Sequence, residues 1–295
     1  MPKTCWPGAL VAVCLTSLGG RVADEKQRTI DYLRPLQAAD GGFLPTAAAQ
    51  ANGKPTSSSL RATSAALRAL RYQEGKPRDQ NAAARFVAAC FDKSAGAFSD
   101  QPHGRPDVNA TAVGLMAVQE LHMPMDKYRS AASYLGLHAR TFEEIRIAAA
   151  GLEAAGTRPP QASRWVSRIL EMRHSDGTFG EGDGAARDTG GAVVALLRLG
   201  AHLEHEENVL RCLKNGQRPD GGFGKGGTAT SDLESTYRVL RAFVMLHQKP
   251  ENVTACRAFV ARCRNSDGGY GVAPGQPSSV SGTYFASIIL HWLES

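Results

Sequence analysis

Three arginines fall where a cation is costly. Arg61, Arg146 and Arg241 each lie inside a segment whose apolar residues follow helical spacing, near 60–67, 145–152 and 233–246. A guanidinium buried there must be paired or aimed at an anion. Lys225, Arg187 and Arg105 lie in neighbouring glycine- and proline-rich stretches. Together these cations could form a basic mouth suited to the phosphate or diphosphate head of a lipid. Arg61, Arg146, Lys225, Arg241 and Tyr237, on the segment that carries Arg241, are the candidate ligand-binding residues. The competing arrangement pairs the arginines with Glu143, Glu144 and Glu234 or lets them snorkel outward.

Other chemistry is thinly supported. His202 and His205 stand three apart beside Glu204, Glu206 and Glu207, but follow Leu199-Gly200 and read as an exposed turn rather than a metal-binding helix. No Gly-x-Ser-x-Gly, His-Glu-x-x-His or phosphate-loop pattern occurs, and Gly224-Lys225-Gly226-Gly227-Thr228 lacks the Gly-Lys-Ser/Thr order. There is no Cys-x-x-Cys. Cys256 and Cys263, seven apart on an expected helix, stand about 10 Å from one another, beyond disulfide reach. The cysteines read as small buried residues.

The elements that position these groups are repeated. Gln-Ala-Ala-Asp-Gly-Gly-Phe at 37–43 recurs as Gln-Arg-Pro-Asp-Gly-Gly-Phe at 217–223 and Arg-Asn-Ser-Asp-Gly-Gly-Tyr at 264–270. Weaker copies end at Phe98 and Phe179, and a third unit near 138–144 has lost the turn but keeps the helix 145–152. Glycine ends a helix in the left-handed conformation, and the aromatic can plug the gap between hairpins. In the clearest unit, apolar positions 233–246 form one helix and 251–264 a second, with Ser231 and Glu234 as a capping box. Nine residues after the aromatics stand Asp107, Asp188, Asp232 and Ser279, and the longer first loop reaches Ser59, a column fit to cap helix N-termini. Six such units predict one all-α ring of helical hairpins around a central cavity.

With 42% hydrophobic residues the 295-residue chain can build a real core, and a net charge of +6 with scattered Lys and Arg does not make a nucleic-acid footprint. Residues 1–23 read as a signal peptide: Lys3, an apolar run from Trp6 to Leu18 too short to span a bilayer, then small residues. On this reading the mature domain is 24–295, exported to a periplasm or medium, with a net charge of about +4 and no transmembrane span. If the segment is not a signal, the chain stays in the cytoplasm.

Residues 26–295 resemble the repeats shared by the β subunits of protein prenyltransferases and by terpene and squalene-hopene cyclases, above all in Gly-Gly-Phe followed by Asp232-x-x-x-Thr236. The resemblance implies an α/α toroid with an apolar central funnel for isoprenoid chains, and a helical α-subunit partner. It also implies one zinc ion held by an Asp-x-Cys pair and a late His. Carried across, it makes Asp232 and Glu234 the metal candidates. Glu234 takes the cysteine position and Gly282 the histidine position, and the two diphosphate positions fall on Gly226 and Ala229 beside Lys225. The cyclases' acid motif meets Asp107-Val108-Asn109-Ala110-Thr111-Ala112, with asparagine where the proton donor belongs. The function expected is therefore prenyltransferase-like handling of an isoprenoid or lipid-like ligand. The alternative is a non-catalytic exported scaffold that binds a lipid or polypeptide.

Overall fold

A computed structural model describes residues 23–47 and 57–294, so the signal-peptide reading of 1–23 lies, except for Ala23, outside the described residues. Among the described residues, twelve α-helices alternate between two layers. The inner layer holds α2 (Leu60–Tyr72), α4 (Val108–Glu120), α6 (Phe142–Ala154), α8 (Ala185–Arg198), α10 (Leu233–Met245) and α12 (Val280–Glu294). The outer layer holds α1 (23–33), α3 (Gln80–Ala89), α5 (Arg129–His138), α7 (Ala162–Leu170), α9 (Glu206–Asn215) and α11 (Val253–Arg262). Each inner helix packs on the next, and α12 packs on α2, which closes the ring. The expected toroid of six hairpins is the observed architecture.

The repeated motif works residue by residue. Its aspartate accepts the backbone N–H two residues on: Asp40 from Gly42, Asp220 from Gly222 and Asp267 from Gly269, at 2.9–3.0 Å. The first glycine has φ of +88° at Gly221, and a Cβ there would lie 2.1 Å from the Ala255 carbonyl oxygen of the following outer helix. Glycine is therefore required both for the turn and for the close approach. Gln217 clamps the backbone of Asn252, the N-cap of α11, through both ends of its amide, and Gln37 does the same to Asp79, the N-cap of α3.

The aromatic is fixed from the inside. Its backbone N–H donates to a threonine hydroxyl in the first turn or so of the next inner helix. The pairs are Phe43 to Thr63, Phe98 to Thr111, Phe179 to Thr189, Phe223 to Thr236 and Tyr270 to Thr283, at 2.9–3.1 Å. These threonines and aromatics are all buried. Adjacent inner helices are tied at their starts by the loops: Leu60 N–H reaches Asp100 O, Leu233 reaches Val272 O, and Val280 reaches Pro45 O. The inner helices therefore run parallel, with their N-termini on the loop face.

The last contact also shows how the ring is sealed. α1 takes the place of the outer helix that would follow α12. Gly268 approaches Arg28, Thr29 Oγ1 donates to Gly268 O, and Arg264 donates to Glu25 O.

Four local expectations need correction. The N-cap of α10 is Asp232, not Ser231; the Ser231 hydroxyl donates to Asp220 instead, so there is no capping box with Glu234. Asp188 caps nothing, because a 3-10 turn at Gly182–Gly184 moves the start of α8 forward and leaves Asp188 inside its first turn, paired with Arg187. The helix expected over 251–264 is shorter, because Asn252 caps it and Cys263 ends it. In the second unit the turn before Phe98 is a small antiparallel pair, Phe91–Asp92 with Ala97–Phe98. The remaining caps are as expected at Ser59 and Asp107, and the Ser279 hydroxyl accepts from Gly282 N–H. Cys90, Cys256 and Cys263 are free and buried.

Thr236→Val should leave the buried Phe223 N–H without a partner and cost about 1–3 kcal/mol. Thr236→Ser should recover most of that. Urea denaturation of the three proteins reads the difference; equal stabilities for wild type and Thr236→Val would show that the clasp contributes nothing.

Candidate functional site

The inner helices enclose a cavity of about 380 Å³. Seven arginines line it: Arg61, Arg68 and Arg71 from α2, Arg146 from α6, Arg198 from α8, and Arg238 and Arg241 from α10. Among the described residues, the carboxylates in the lining are Glu120, Glu153 and Glu234. Between the cations runs an apolar and aromatic band that includes Val113, Met116, Ile147, Tyr237, Tyr284 and Phe285. The apolar funnel implied by the resemblance is thus corrected. The wall is cationic because arginines occupy inward-facing positions that a greasy funnel would fill with aliphatic or aromatic side chains.

The arginines sort by pairing. At the loop-side rim, Arg238 is 6% exposed in its side chain and donates to both oxygens of Glu143, at 2.7 and 3.0 Å, and to Glu234 at 2.8 Å. Arg146 shares Glu143 at 2.9 Å. Arg187 pairs with Asp188 and stands 3.9 Å from Glu234, while Lys225 is 3.8 Å from Glu234. Arg61 is half exposed and lies between Asp100 and Asp107. Burial works against ionisation of Glu143, but the Arg238 hydrogen bond and the charges of Arg146 and Arg238 outweigh it and lower its pKa to about 2. Glu234 is lowered in the same way, against burial, chiefly by Arg238.

Deeper in the cavity, Arg71 pairs with Glu120. Arg198 and Arg241 share one carboxylate, Glu153, at 2.9 and 3.6 Å. Arg68 has no carboxylate partner among the described residues. Its guanidinium lies 4.4 Å from the Tyr284 ring centroid, donates to the Tyr284 hydroxyl, and touches Met116 Sδ. Tyr237 packs among Tyr284, Phe285 and Trp292 with ring centroids 5.1–5.9 Å away.

The sequence candidates divide accordingly. Arg61, Arg146, Tyr237 and Arg241 share the cavity, and Lys225 reaches its rim through Glu234. Arg105 is exposed and lines no part of it. His202 and His205 are exposed in the stretch before α9, as the sequence implied. Arg68, Arg71, Arg198 and Arg238 were missed. A signal was present: with the repeats aligned on the clasping threonines, Arg68 and Arg241 both stand five residues after Thr63 and Thr236, on the inward stripe. Arg238 carried the cue of an i,i+4 pair with Glu234.

The zinc expected from the resemblance was tested against the donors present. Asp232 caps α10, accepting from Ser235 N–H and Oγ at 2.8 Å. Glu234 is committed to Arg238, and Gly282 brings no side chain. No group of three or more His, Cys, Asp or Glu among the described residues could hold a metal ion. The residues do not fit that centre.

Two outcomes follow from these assignments. Asp232→Ala should cost about 1 kcal/mol in denaturant unfolding, as a lost cap does, without changing the metal content of the purified protein; loss of stoichiometric zinc would overturn the capping role. For Glu143, the folded pKa lies below the ordinary value of 4.5. Its contribution to stability is therefore present above that value and lost as pH falls toward about 2. Glu143→Gln should destabilise the protein more at pH 7 than at pH 3, read by urea midpoints at the two pH values.

The family model of the prenyltransferase alpha-alpha toroid domain matches residues 9–74, 63–150 and 122–294. Protein geranylgeranyltransferase-I of Candida albicans complexed with GGPP is similar in structure, with 15% identity, a TM-score of 0.65, and coverage of 83% of this chain and 85% of that one. A protein from Actinoplanes aligns with 15% identity, a TM-score of 0.60, and coverage of 92% and 98%. Type II terpene cyclase MstE from Scytonema aligns with 11% identity, a TM-score of 0.61, and coverage of 93% and 97%. No curated protein sequence matches the chain. At such identities the structural likeness speaks to the fold. The family match spans nearly the whole chain, and the chain belongs to the prenyltransferase alpha-alpha toroid domain family.

Proposed function

We propose that this protein takes an isoprenoid or other lipid-like molecule with an acidic head group into its central cavity. The observation that carries the reading is the cavity wall: an aromatic and aliphatic band of Tyr237, Tyr284, Phe285, Met116 and Ile147 under an excess of arginine. Apolar surface for a chain and guanidinium groups for an acidic end are the two parts such a ligand needs. Two structural neighbours agree in kind, one complexed with GGPP and one with geranylgeranyl dihydroxybenzoate. Zinc-dependent transfer to a thiol is not part of the proposal, since Asp232 and Glu234 are already engaged and Gly282 offers no donor.

The second reading is a non-catalytic, exported scaffold whose cavity binds a lipid or polypeptide. What favours it is the same engagement of the zinc-position residues. Export fits the fold in one respect, since cleavage after residue 23 would leave nearly all of helix 23–33 in place. No described helix is long and apolar enough to cross a membrane. A helical partner subunit enters through family resemblance alone.

Native mass spectrometry of the full-length protein, expressed and then incubated with geranylgeranyl diphosphate or geranylgeraniol, tests these points together. A one-to-one complex with either compound is expected. Absence of binding to both would sink the isoprenoid reading. The same spectra give the mass of the mature chain, hence whether residues 1–23 are removed, and the mass of any partner held.

A further inference from the structure

The charges around the cavity are not evenly compensated. At the rim, Arg146, Arg238, Arg187 and Lys225 face Glu143, Glu234 and Asp188, while Arg61 lies between two aspartates. That end is close to neutral. Deeper, Arg71 and Glu120 cancel, Arg198 and Arg241 share Glu153, and Arg68 has no carboxylate among the described residues. About two positive charges are left there without a counter-ion. In a partly desolvated wall such cations call for an anion.

Two further features point the same way. Ser64, one turn before Arg68 on the same face of α2, lines the cavity, and its buried hydroxyl has no hydrogen-bond partner. The buried Nε of Arg241 also lacks a partner. Unpartnered polar atoms beside uncompensated cations are groups that an anionic ligand could satisfy. Resting on the reading of the cavity as a ligand site, we propose that its deep end binds a phosphate-class dianion through Arg68, Arg198 and Arg241, with the Tyr237 hydroxyl between them. A phosphate monoester carries about −1.5 to −2 charge at neutral pH, which matches the surplus better than one carboxylate does. Its oxygens suit the planar donor fork of arginine. The dianion could be free phosphate or the head of a phosphorylated isoprenoid. Either presents the same chemistry.

Tyr237 supplies a reporter inside the site. Facing it are Arg68 from α2, Arg146 and Glu153 from α6, Arg198 from α8, Arg241 from its own helix and Tyr284 from α12. Burial raises the pKa of its hydroxyl, but Arg68, Arg198 and Arg241, with a hydrogen bond from Tyr284, more than offset this and hold it below the ordinary tyrosine value. A dianion seated among those arginines opposes formation of the phenolate and must push that titration back up.

The test is to titrate tyrosinate absorbance of the full-length wild-type protein with and without inorganic phosphate, with Tyr237→Phe to identify the band. The expected result is an upward shift of the Tyr237 titration, saturable in phosphate and weakened by salt. Calorimetry should show phosphate affinity reduced roughly tenfold or more in Arg68→Gln and partly kept in Arg68→Lys. Arg129→Gln, which removes only the exposed ion pair of Arg129 with Asp126 away from the cavity, should bind as wild type does. If Arg68→Gln does not fold, the wild-type titration still decides. Geranylgeranyl monophosphate binding far tighter than phosphate, with the same Tyr237 shift, supports the site and identifies a lipid head as the source; equal affinities with the shift support it with free phosphate. Phosphate binding without the shift, or no phosphate binding, overturns the site. Geranylgeraniol binding while phosphate fails overturns it too, and leaves the isoprenoid reading standing.

Discussion

The fold depends on satisfying one backbone N–H in each loop. In all but one of the passages from an outer to an inner helix the chain buries an aromatic side chain, and the amide of that residue goes into the interior with it. A buried, unpaired amide is costly. In five places a threonine of the following inner helix receives it. This single bond sets the height of each loop against each inner helix. It thereby determines which residues of that helix face the centre. The glycines, the aspartate and the glutamine of the motif then fit the turn to the next outer helix. The exception is informative: α5 passes to α6 through a few residues with a capping box at Thr141 and Glu144, and there is neither turn aromatic nor clasp.

With the loops held, the centre is a place where charge is expensive and geometry is rigid. Six parallel helices direct their N-termini to one face and their C-termini to the other, so their dipoles reinforce. Arg71, Arg198 and Arg241 lie in the C-terminal halves of their helices, where cations complement that field. The rim solves its charge problem internally, by glutamates shared between two arginines. The deep end solves only part of it. The asymmetry separates a lattice of ion pairs near the loops from an uncompensated excess of cations below them.

The ring was legible because its repeat is legible. Asp-Gly-Gly-aromatic turns and Asp232-x-x-x-Thr236 repeat with little change, and each residue type has one local physical reason to be there. The cavity was less legible, because inward positions are defined by the whole ring and not by one helix. Arg61, Arg146 and Arg241 were visible as cations in apolar segments, whereas Arg68 and Arg198 look ordinary until neighbouring repeats are superposed. The lining expected by resemblance was wrong for a related reason: a toroid's packing is set by its buried outer-facing stripes and loops, which leave the inward column free to change its chemistry. Asp188 misled because a 3-10 turn shifted the helix start by a few residues, a detail the spacing alone does not carry.

The place where α1 meets α11 and α12 has a consequence for how the molecule is made. The outer helix that completes the last hairpin is encoded first, and its neighbours are encoded at the far end, more than two hundred residues later. During synthesis α1 can first rest only on the end of α2, where Ile30 lies against Gly75 and Lys26 pairs with Glu74, and its contacts to Gly268 and Arg264 wait for the far end of the chain, so the annulus stays open like an unbuckled belt. Closure is therefore the longest-range and slowest event available to this topology. The inner wall itself closes where α12 meets α2, so the cavity is complete only in the finished ring.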